Sequence, residues 1–239
     1  MPLPKISTPT YELELPSSGK KIKYRPFLVK EEKILIIAME SEDNKAITNA
    51  IKDVLSACIL TRGVKVDELS TFDIEYLFLN TRGKSVGEEV EVMITCPDDG
   101  KTQVPTVIVL DEIKVQIDKE HNKDIKLDDT LVLRMKYPSM SQFIKNNFSL
   151  SDDIGVAQTF ELIGSCIEQI YSDDESWSAT DCTKKELNEF VESLNSKQFK
   201  EVEKFFETMP KLSHTITVKN PNTGVESDVV LEGLSAFFG

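Results

Sequence analysis

Residues 88–110 read EEVEVMITCPDDGKTQVPTVIVL, and the period of this stretch decides the fold class. Val90, Val92 and Ile94 alternate with Glu91 and Met93, Pro97-Asp98-Asp99-Gly100 turns the chain, and an apolar run returns from Gln103 to Leu110. Alternation around a Pro/Gly turn marks an antiparallel hairpin. Upstream the period changes. Phe72, Ile74, Tyr76, Leu77, Phe78 and Leu79 predict a helix over 71–81, with Asp73 and Glu75 in its first turn complementing the helix dipole. Before it, Ile47, Ile51, Val54, Leu55, Cys58 and Ile59 form one stripe at helical spacing over 43–61, with Gly63 placed to end it. A helix after Leu28 carries the apolar run 34–39. Ahead of that, Tyr11, Leu13 and Leu15, then Ile22 and Tyr24, alternate as an extended pair turned at Ser17-Ser18-Gly19.

Downstream, Ile113, Val115 and Ile117 alternate, the polar run 118–126 reads as a loop, and Leu131, Leu133, Met135 and Tyr137 alternate before Pro138. Helices are expected over 140–148 and 154–171, the second on the stripe Ile154, Phe160, Ile163, Ile167 and Ile170. Thr183-Lys184-Lys185-Glu186 is a capping box opening a helix with Leu187, Phe190, Val191 and Leu194 inward. A last helix over 197–209 stops at Pro210. A second hairpin, 215–218 with 228–231, crosses Asn220-Pro221-Asn222-Thr223-Gly224, and a tail with Leu234, Phe237 and Phe238 follows. The reading is α+β, mostly helical with small antiparallel hairpins and sheets. Two regions are expected, 1–138 with the hairpin at 90–110 and 139–239 ending in the hairpin at 214–231, packed together as one unit. Both turns place Pro and Gly at the same spacing behind a helix pair. That fits a weak internal helix–helix–hairpin duplication, and equally a chance likeness of two common turns.

The chain has 239 residues, 40% hydrophobic and 29% charged, with only 10 Gly and 10 Pro, which suffices for a sizeable core and excludes collagen-like and disordered classes. No run approaches the roughly 18 apolar residues of a membrane span. The opening MPLPK lacks a secretory apolar stretch, so a soluble, unexported chain is expected. A net charge of −13 speaks against nucleic-acid binding. The charge is uneven, however. Before residue 31, six basic against two acidic residues leave +4, whereas Asp173, Asp174, Glu175 and Asp181 make an acidic loop. Such runs are either solvated faces or a means of steering two different protein neighbours. Cys58, Cys96, Cys166 and Cys182 are dispersed and fit a reduced compartment without disulfides.

Motifs for chemistry are incomplete. Cys96-Pro97-Asp98-Asp99-Gly100 has the outline of a zinc knuckle but a single thiol, and the matching turn offers only Asn220 and Thr223. A hairpin turn held by its own backbone is the expectation there, with no metal. Gly83-Lys84-Ser85 resembles the end of a phosphate-binding loop, yet Phe78 stands where the first glycine is needed. His121 and His214 sit beside no nucleophile signature. No catalytic residue, cofactor or small-molecule substrate is expected. What remains is apolar surface. Trp177, the single tryptophan, lies in the acidic loop; it either folds back onto its own core or anchors a partner, as does the Phe237-Phe238 tail.

Four stretches, YRPFLVKEEK (24–33), TFDIEYLF (71–78), RGKSVGE (82–88) and LEGLSAFF (231–238), occur in an order that resembles the baseplate hub protein family of T-even-type contractile-tailed phages. That family carries an Arg-Ala-Lys-Ser signature; here Arg82, Lys84 and Ser85 match and Gly83 replaces the alanine. Some members have a Cys-Pro-x-Cys-Gly knuckle where this chain keeps only Cys96. The resemblance implies a non-enzymatic role in building the central hub of the tail baseplate. Other tail and hub proteins would be its partners, in the host cytoplasm during assembly and in the virion. An assembly chaperone absent from the finished particle is the alternative. Arg82, Lys84 and Ser85, at the expected helix-to-strand junction, are the candidate partner-binding residues: Lys84 or Arg82 would pair with a partner carboxylate or with Glu88 or Glu89 of the same chain, or these side chains simply cap the junction locally.

Overall fold

A computed structural model describes residues 6–41, 43–139 and 156–233. The helix expected over 140–148, the start of the one from 154, and the tail with Leu234, Phe237 and Phe238 lie outside the described residues. The chain is α+β, 37% helical and 29% strand, with small antiparallel sheets. It divides into two compact units, residues 1–66, 72–116 and 211–239 in the first, and 67–71 and 117–210 in the second.

In the first unit, β1 (Tyr11–Glu14) and β2 (Lys21–Tyr24) pair with Leu13 opposite Ile22, which buries the alternating apolar set and leaves Lys21 and Lys23 outside. Helices α1 (Val29–Glu40) and α2 (Asn44–Cys58) follow. α2 turns Val54, Leu55 and Cys58 wholly inward, and Asp43 caps it by accepting from the Lys45 amide at 2.9 Å. It stops earlier than the spacing predicts. Ile59 is extended and bridges Tyr24, with the Arg25 amide on the Cys58 carbonyl at 3.0 Å and the Leu60 amide on the Lys23 carbonyl at 2.8 Å. Pairing with the hairpin, not Gly63, ends the helix.

α3 (Thr71–Val86) runs a full turn past its expected end. The helix passes through Gly83, where Leu110 lies in ordinary contact distance, 3.7 Å from where a Cβ would stand. It ends at Gly87, whose positive φ of 138° a side chain would oppose. β3 (Glu89–Thr95) and β4 (Gln103–Val109) form the expected hairpin, Val92 opposite Thr106. β5 (Lys114–Gln116) joins β10 (Lys211–Lys219), which also pairs with β11 (Glu226–Glu232). Their inward residues, Val92, Ile94, Ile108, Ile113, Leu212, Val218 and Leu231, gather around Leu79 of α3.

The second unit is a four-stranded sheet in the order β6 (Asp124–Lys126), β7 (Val132–Met135), β8 (Ile167–Tyr171), β9 (Ser176–Ser178), with helices α4 (Val156–Ser165), α5 (Lys184–Glu192) and α6 (Ser196–Thr208). Two expectations change here. The helix predicted through 171 ends at Ser165, and its apolar continuation is the central strand β8. Spacings of four and three among Ile163, Ile167 and Ile170 read as a helix; in β8 the spacing of three is accommodated by the register shift against β7 at Arg134 and Met135. Position 124–126, expected in a loop, is an edge strand: Ile125 is buried, while Asp124 takes both Arg134 nitrogens at 2.7 and 2.9 Å. The capping box forms as expected, the Thr183 amide donating to Glu186 at 2.7 Å. Helix pair and hairpin thus occur twice in chain order, but the second hairpin belongs to the first unit and its helices to the second.

Candidate interaction surfaces

The residues of the Arg-Gly-Lys-Ser stretch lie in the last turns of α3, not at a junction beyond it. Ser85 accepts from the Phe27 amide at 2.9 Å and donates to the Thr81 carbonyl at 2.5 Å, so it ties α3 to the segment that opens α1. Lys84 bonds Glu88 and reaches Asp111 at 3.3 Å, and these carboxylates hold its pKa above the ordinary lysine value. Arg82 is half-buried, and loss of water lowers its pKa. Locally Lys84 and Ser85 act as a brace.

The same segment carries a buried ion pair. Glu31, 3% exposed, accepts from Arg25 at 3.0 Å and from the Leu28 amide at 2.8 Å, capping α1 from within. Burial pushes its carboxyl up, but hydrogen bonds from Arg25, the Leu28 amide and Lys30 outweigh that and leave it below the usual carboxylate range. In the first turn of α3, buried Asp73 accepts from the Ser17 amide at 3.0 Å and from the Ser17 hydroxyl.

The two Pro/Gly turns, matched in sequence, meet in space. Each is closed by its own backbone, Gly100 to Cys96 at 2.9 Å and Gly224 to Asn220 at 2.8 Å. Beyond that expectation, they hold each other. Asp98 accepts from Asn220 at 2.9 Å and from Thr223 at 2.5 Å, and Asn222 donates to Thr102 at 2.9 Å. Donation by Asn220 and Thr223 keeps the Asp98 carboxyl below its ordinary pKa. Cys96 is buried beside them; burial, then Asp98 and Asp99, raise its thiol pKa, which disfavours the thiolate a metal requires. Among the described residues, no three His, Cys, Asp or Glu side chains group so as to hold a metal ion.

In the second unit, a cleft of about 350 Å³ is lined by Glu120, Asp124, Lys204 and Phe205 among others. Its charges answer one another: Lys204 meets Glu120 at 2.9 Å and Arg134 holds Asp124. His121 is spanned by Thr208 at 3.0 Å and Tyr137 at 3.1 Å and lies against the Phe205 ring, with burial lowering its pKa. That arrangement suits a packed neutral imidazole.

Among the described residues, exposed apolar side chains include Trp177 and a group on α1. Trp177 stands opposite Ile170 in the edge strand β9, so its ring shares the core face of the sheet and is still 44% exposed, next to Asp173, Asp174 and Glu175. The outer side of α1 exposes Val29, Ile36 (50%), Ile37 (56%) and Met39. Sequence reasoning located this helix and passed over its surface. The signal, six successive apolar residues where one stripe takes up only part of them, shows that some stay exposed without showing which face. Among the described residues, no helix is long and apolar enough to cross a membrane.

Comparison with known proteins places this arrangement. No solved structure matches the chain. It is 25% identical over 231 residues, 95% of its length and 97% of the relative's, to the baseplate hub assembly protein gp26 of Enterobacteria phage T4. The family model for T4 bacteriophage base plate protein matches residues 8–239, which takes in the braced α3, both paired turns and the sheet that carries Trp177. The chain belongs to the T4 bacteriophage base plate protein family.

Proposed function

We propose that the chain is a structural or assembly subunit of the central hub of a tail baseplate, made in the host cytoplasm and working through contacts with other baseplate proteins, without catalysis. The observation that carries this reading is the family match over residues 8–239. The T4 relative, named as a hub assembly protein and similar along nearly its whole length, supports the hub in particular. Trp177 is the contact we assign. It offers a half-open aromatic ring on a sheet edge, where an incoming strand or loop finds both apolar area and free backbone groups. The acidic side chains beside it select a partner with basic residues around an apolar slot. Lys84 and Ser85 serve that function indirectly, by holding the end of α3. A net charge of −13 favours protein over nucleic acid as the partner.

Immunoblotting of purified baseplates, hub intermediates and finished particles tests the proposal. The chain is expected in baseplates and hub intermediates. Detection in intermediates alone narrows its role to assembly, and absence from all three overturns the reading.

A further inference from the structure

α1 carries six successive apolar residues, 34–39, more than one buried stripe takes up. α1 is covered along Glu31, Leu35 and Ala38; on the opposite side Val29, Ile36 and Ile37 stay exposed, together with Lys33 and Glu40. The order of charges along this outer stripe selects the occupant. Lys33 and Glu40 stand seven residues apart, about two helical turns, and Ile36 and Ile37 lie midway between them. A stripe with a cation at one end, an anion at the other and an apolar centre is its own complement when turned end for end.

We infer that α1 pairs antiparallel with α1 of a second copy of this chain, about a two-fold axis passing between Ile36 and Ile37. Lys33 of each copy then meets Glu40 of the other, and Ile36 packs on Ile37 across the axis, twice over, as an isologous interface requires. A partner surface of one charge sign leaves Lys33 or Glu40 opposed by its like. The helix has 12 residues, about 18 Å of length at 1.5 Å per residue, so the patch falls short of the roughly 800 Å² per partner of a standard interface. The dimer is therefore weak, with dissociation in the micromolar range. It needs only this chain and stands apart from the baseplate reading.

Sedimentation velocity of the full chain from low to high micromolar concentration tests the pairing. The wild type should pass from monomer to dimer. Lys33→Glu alone and Glu40→Lys alone should each weaken the dimer about tenfold by opposing like charges at both ends. The double variant K33E/E40K should restore it. Ile36→Glu with Ile37→Glu should abolish it without moving the thermal midpoint, because both side chains already face solvent. A wild type that stays monomeric throughout overturns the inference, as does a dimer indifferent to these changes. It is equally overturned if α1 variants lose a captured tail protein while the wild type alone is monomeric, for that result assigns the face to a different partner.

Discussion

α1 and α2 are consecutive helices packed against each other, yet their sequences are built to different rules. α2 has one apolar stripe, and Val54, Leu55 and Cys58 on it are fully buried. α1 has an unbroken apolar run over 34–39 but buries only Glu31 and Ala38. In α2 the hydrophobic pattern is satisfied by folding. In α1 the anchor is a buried ion pair, and most of the apolar side chains are left over. The difference teaches that apolar content alone does not report on the core. The apolar residues of α2 act on stability and those of α1 on association.

The comparison can be broken most sharply at Glu31. Glu31→Ala strands Arg25 and removes the internal cap of α1, and should cost about 4 kcal/mol in a urea melt, the range for breaking a buried pair. The pH dependence carries a sign. The folded carboxyl lies below its unfolded value, so its contribution is present above the unfolded pKa and is lost as pH falls through the folded one. Wild-type stability should drop on acidification below the ordinary glutamate range, and Glu31→Gln should flatten that drop.

Next in size is Leu55→Ala in α2, expected to lose about 3 kcal/mol by opening a cavity at a fully buried site. Asp43→Ala, which removes the α2 cap, should cost about 1 kcal/mol. Smallest is Ile36→Ser on the outer side of α1, within about 0.5 kcal/mol of wild type, because that side chain is half solvated already. A loss at Ile36 comparable to that at Leu55 would erase the distinction between the two helices.

Local rules made much of the fold legible. The hairpin at 89–109, the first strand pair, the α2 stripe and the Thr183 capping box each follow from a period or a short-range hydrogen bond. The failures came where distant segments decide. Ile167 and Ile170, three apart, have helical spacing, and only irregular pairing with β7 makes the stretch β8. The spacing ends α3 near 81, and contacts of its last turns, Ser85 with the Phe27 amide and Lys84 with Asp111, come from distant segments. The same limit applies to the surfaces. Trp177 could be singled out from its acidic flanks, whereas the outer side of α1 required knowing which face was already covered. Ser85 stood out by resemblance, but its bond to the Phe27 amide, 58 residues away, has no local trace. Likewise, the matched turns were visible as a pair, while the Asp98 bonds that join them were not.

The central claim is that this member of the baseplate family works by contact through Trp177. Quantitative mass spectrometry of baseplate proteins captured from infected cells by the tagged chain tests it most directly, wild type beside Trp177→Ala. The account predicts that baseplate proteins are recovered with the wild type and fall at least tenfold with the variant, the cost of losing a binding hot spot, while the variant stays folded at the temperature of capture. Equal recovery by both would contradict it.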